Sequence, residues 1–76
     1  MPVFSYLAIP KSGAKETLCT ELANLEHCRI MPADNHEVVV VVTDTPDIAT
    51  EKVLQETLTG LQSLQSLSLT FGFDDN

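Results

Sequence analysis

Two β-α-β units in tandem, sharing one four-stranded antiparallel sheet in an α+β fold, are predicted for this chain from three observations. Residues 38–42 are five consecutive valines, a β-branched run that suits a central strand. Two segments repeat apolar residues at spacings of three and four, as helices with one buried stripe do: Ala14, Leu18, Leu22 and Leu25, then Leu54, Leu58 and Leu61. Near the C-terminus Leu67, Leu69, Phe71 and Phe73 alternate with Ser66, Ser68, Thr70 and Gly72, the period-2 signature of a strand with one apolar face.

The elements follow in order. Residues 3–9 mix β-branched, aromatic and aliphatic side chains before Pro10, and form the first strand. Ser12 and Gly13 open the first helix, with Cys19 beside its apolar stripe and Lys15, Glu16, Glu21 and Asn24 outside it. Over 27–31, Cys28 and Ile30 alternate with Arg29 and Met31 ahead of Pro32, which suits an edge strand. A loop at 32–36 leads to the valine strand. Thr45 as N-cap, Pro46 and Asp47 then start a second helix that Gly60 ends. The last strand closes the fold, and Asp74, Asp75 and Asn76 are expected to be solvated. Short loops and this order match the ferredoxin-like β-α-β-β-α-β plan, with sheet order 4-1-3-2 and both helices on one face.

At 76 residues the chain is one domain, residues 1–76 with an ordered core of about 3–73, because a chain near this size buries only ~60% of its unfolded surface. Eleven carboxylates against four Lys and Arg give a charge of -7, which repels phosphate backbones and attracts basic peptides. Nucleic acid is therefore not an expected partner. The N-terminus has no basic start followed by a long apolar stretch, and no run approaches the ~20 residues that span a bilayer. A cytoplasmic protein without membrane insertion is the expectation. Cys19 and Cys28 are expected to stay free, as small half-apolar groups of the core.

Catalytic and cofactor chemistry finds no convergent set of residues. His27, His36 and Cys28 have no structural zinc spacing, and no metal or other cofactor is expected. His27 and Cys28 are neighbours on a strand, so the imidazole would aim away from the thiol it would have to activate. Gly13, Gly60 and Gly72 are isolated, which leaves no phosphate cradle, and the loop at 10–13 supplies neither a Cys-x-x-Cys copper site nor a visible acyl-phosphate site. No catalytic residue is assigned.

Helices on one face leave the other face open, and the valine run supplies apolar groups to both. Glu37 and Thr43 share parity with Val39 and Val41, so these two are expected on the open face while Val38, Val40 and Val42 enter the core. The expected open surface joins Ser5, Leu7 and Ile9 of the first strand, Val39 and Val41 of the third, and Ser66, Ser68 and Thr70 of the fourth, with Leu67, Leu69 and Phe71 turned inward. An aliphatic middle between small hydroxyls admits a helix at close range, so these eight residues form the expected peptide-binding site.

Several residues occur in a familiar order and spacing: Ser5-Tyr6-Leu7, Leu22-Ala23-Asn24-Leu25, Cys28 opening the second strand, the valine strand, and Leu67-Ser68-Leu69 before an aromatic. In these the chain resembles the NapD family, cytoplasmic chaperones of the periplasmic nitrate reductase, over residues 3 to 73. Where that family often has a Pro-Gly step before the cysteine, this chain has Glu26-His27. The resemblance implies a protein with no catalytic residues that binds the twin-arginine signal peptide of the nitrate reductase catalytic subunit and delays export until the molybdenum cofactor is inserted. A monomer is favoured. The competing expectation is a small regulatory or ligand-sensing module that acts by sheet-mediated dimerisation.

Overall fold

The computed structural model describes residues 2–73, and the tail expected to be solvated lies outside the described residues. The elements are β1 (Val3–Pro10), α1 (Lys15–Ala23), β2 (Cys28–Pro32), β3 (Val39–Asp44), α2 (Ile48–Thr59) and β4 (Leu64–Phe73). They form the expected β-α-β-β-α-β succession, and the sheet order β2-β3-β1-β4 is the predicted one. Every strand pair is antiparallel.

One sheet face and both helices build the core. Tyr6 and Ala8 of β1 and Val39 and Val41 of β3 pack with Leu18 and Leu22 of α1 and with Leu54 and Leu58 of α2. Register explains the set: Tyr6 stands opposite Val41 and Ala8 opposite Val39, and residues directly opposite share a face. Cys28 and Ile30 of β2 point the same way and pack against this cluster.

The facing of the valine strand is therefore the reverse of the expectation. Val39 and Val41 are both 0% exposed on the helix side, whereas Val40 and Val42 are half-buried on the open side and Val38 precedes the strand. The polar markers misled, for different reasons. Glu37 lies in the loop before β3, where it carries no parity. Thr43 is on the buried side, 0% exposed, because an acceptor waits there for its hydroxyl.

Helix ends differ in detail from the expectation. Asp47 caps α2, its carboxylate accepting the Thr50 N–H at 2.7 Å, and hydrogen bonding from Thr50, its side chain first and then that N–H, holds the Asp47 pKa below the usual carboxylate value. Thr45, expected as the cap, is buried instead. Pro10 ends β1 as its last residue rather than as the first beyond it, and pairs with Leu64. Gly13 turns the chain into α1 with φ +75, where a side chain would be strained.

His27, just before β2, has φ 68, the left-handed region that only glycine enters freely. Its carbonyl accepts the Asp44 N–H at 3.0 Å, which fixes this conformation against relaxation. Strain of ~1–3 kcal/mol, less the ~0.4–1 that glycine loses through a freer unfolded chain, leaves a net gain of about 1 kcal/mol for His27→Gly. Thermal unfolding is expected to shift upward by roughly 4–8 °C, with His27→Ala giving no such rise. A neutral or destabilising His27→Gly would mean that the imidazole offsets the strain.

Candidate functional site

Reading the register across the sheet lays out the open face row by row. Arg29, Val42, Ser5 and Phe71 form one row; Met31, Val40, Leu7 and Ser68 form the next; Ile9 and Ser66 follow. Leu7 is 36% exposed, Met31 57% and Phe71 60%, so an uncovered apolar surface runs across this face from one edge strand to the other. Ser66 and Ser68 line its β4 side as small exposed hydroxyl residues.

Of the eight residues expected here, Ser5, Leu7, Ile9, Ser66 and Ser68 are brought together on the open face. Val39 and Val41 are not; Val40 and Val42 stand in their place. Thr70 sits at a bulge, where two β4 residues span the step from Tyr6 to Ser5, and its hydroxyl donates to the Ser5 carbonyl at 2.9 Å. The bulge corrects the assignment of Phe71 as well. By strict alternation it belongs inside, but the extra residue turns it to the open face opposite Ser5. Leu69, on the helix side with Tyr6, is 55% exposed rather than core.

At one end the open face runs into a cleft of about 450 Å³ lined by Val3, His27, Cys28, Arg29, Val42 and Asp44. Asp44 pairs with Val3, so its carboxylate belongs to the same face as Ser5 and Val42 and lends that end an acidic group. Burial pushes the pKa of the Cys28 thiol up to about 11, and the carboxylate of Glu51 adds to the effect, which disfavours the thiolate. Cys19 and Cys28 are both free thiols.

Glu51 is the residue that the sequence reading missed. It is 1% exposed in the first turns of α2, yet three hydroxyls donate to its carboxylate: Thr45 to Oε1 at 2.9 Å, Tyr6 to Oε2 at 2.6 Å, and Thr43, whose single proton is shared between Oε1 at 2.9 Å and Oε2 at 2.8 Å. Gln55 donates its side-chain N–H to the Tyr6 oxygen at 2.7 Å, so the single phenolic proton is directed at Glu51. Burial, then that bond to a carboxylate, raises the Tyr6 pKa far above the ordinary phenol value. The Glu51 carboxylate ties β1, β3 and the loop before α2 to the helix. A Tyr and two Thr that converge with a Glu leave no periodic mark in the sequence.

Among the described residues no group of three or more His, Cys, Asp or Glu side chains is placed to hold a metal ion, and no helix is long and apolar enough to cross a membrane. No family model matches the chain, and comparison with curated proteins gave no match.

Proposed function

We propose that this protein is a chaperone of the NapD kind, which binds the twin-arginine signal peptide of a periplasmic nitrate reductase catalytic subunit through the open face of its sheet and has no catalytic activity of its own. The observation that carries the reading is the uncovered apolar surface of Leu7, Val40, Met31 and Phe71 on a chain of charge -7. A signal peptide of this type joins consecutive arginines to an apolar stretch. The arginines meet the acidic field while the apolar stretch covers the face, with Ser66 and Ser68 small enough for a helix to lie close. Support also comes from the backbone before β2. Where the family often has Pro-Gly, His27 adopts the conformation natural to glycine.

Calorimetric titration with a synthetic twin-arginine peptide at low and high ionic strength tests the reading. Binding is expected at low salt and weakens as salt rises, because screening acts on the arginine contacts first. Replacing both arginines by glutamine is expected to remove most of that salt dependence. Failure of the arginine peptide to bind at low salt would overturn the proposal.

A further inference from the structure

The free edge of β4 stands out from the rest of the surface. It is the longest strand, Leu64–Phe73, and lies at a sheet edge, yet carries neither a charge nor a proline. Residues 57–73 as a whole hold no ionisable side chain, in a chain where 20% of residues are charged. The opposite edge, β2, has the usual protection: it is short, with Arg29 outward and Pro32 at its end. β4 also presents exposed apolar side chains on both sides of the sheet, Leu69 on the helix side at 55% and Phe71 on the open side at 60%. A ligand on the open face covers Phe71 and leaves Leu69 bare. A strand added along β4 covers both.

We propose that β4 pairs with β4 of a second copy, antiparallel and about a two-fold axis, to form a continuous eight-stranded sheet. Charge selects this occupant. Two copies at -7 repel everywhere else, and contact costs least along the one long uncharged run. A basic peptide gains nothing electrostatic from that edge. The sequence is also complementary to itself: a two-fold at Ser68 sets Leu67 opposite Leu69 twice on the helix side. Bulges next to Gln65 and at Thr70 confine the regular stretch to residues 66–69, so the dimer is a weak, concentration-dependent one. Leu7, Val40 and Met31 of each open face stay free in this arrangement, and only Phe71 at the β4 rim is shared with it, so the inference does not depend on what those faces bind.

Sedimentation equilibrium of the full chain across about a hundredfold concentration range, at low and high salt, tests it. The average mass is expected to climb from monomer toward dimer, further at high salt where repulsion is screened. Leu69→Lys is expected to remain monomeric, with the milder Leu69→Ser weakening the dimer several-fold; Met31→Lys, on the far edge, dimerises like the parent. Circular dichroism establishes that each variant is folded. A parent that stays monomeric at both salts overturns the proposal, as does dimerisation unchanged in the folded Leu69 variants.

Discussion

Val41→Asp is expected to unfold this protein, while Val40→Asp leaves it folded and weakens peptide binding. Val41 is 0% exposed between Tyr6 and Ile30, with both helices over it. A carboxylate there is buried without a cation, at a cost of several kcal/mol, against a total stability for a chain this size of roughly 4–11 kcal/mol. Val40 lies between Leu7 and Met31 on the open side, where a new carboxylate reaches water and costs about 1 kcal/mol in strand preference and packing. The same charge falls in the middle of the proposed docking surface, under the apolar stretch of the peptide, and an affinity loss of tenfold or more, about 1.4 kcal/mol, is expected. Urea unfolding and calorimetric titration of the two variants in parallel read both effects. Normal peptide binding by a folded Val40→Asp protein would move the docking surface away from the centre of the sheet.

How much of this was legible in the sequence differs from element to element. Strand order and both helices followed from period and punctuation, because leucines at three and four and alternating leucines and serines each fit one kind of backbone. The first strand's facing followed too: Leu7 is exposed while Tyr6 and Ala8 are buried. Two features were not legible. A bulge at Thr70 adds one residue without altering composition, and that single insertion reverses Phe71 and Gly72, bringing Gly72 so close under the Phe4 ring that a Cβ would lie 2.7 Å from it. The valine run could not report its own facing. Five identical residues offer the same apolar surface on either side, so the hydrophobic pattern that normally fixes register is silent.

A polar contact supplies what the valines lack. Thr43 is reached from the run by strict alternation, and its bonds to Glu51 force Val41 and Val39 inward with it. A slip of one residue would put Val42 against the carboxylate and Thr43 into the open face, leaving a buried charge with one donor fewer. Removing Glu51 is therefore expected to be among the most damaging changes away from the apolar core. In Glu51→Ala the hydroxyls of Tyr6, Thr43 and Thr45 lose their common acceptor, and hydrogen bonds to a charged group contribute ~1.5–3 kcal/mol each, with partial overlap in a shared network. A loss of about 3 kcal/mol or more follows, which lowers the melting temperature by more than about 10 °C. Glu51→Gln is expected to cost less. Its amide oxygen still accepts from Tyr6, whose proton Gln55 directs there, and the threonine hydroxyls rotate to accept from the new N–H. Tyr6→Phe alone loses one bond, and Tyr6→Phe combined with Glu51→Ala is expected to cost clearly less than the sum of the single changes, because the second removal orphans a group the first has already left without its partner. Strict additivity, or a Glu51→Ala protein as stable as the parent, would show that packing alone orients the valine strand.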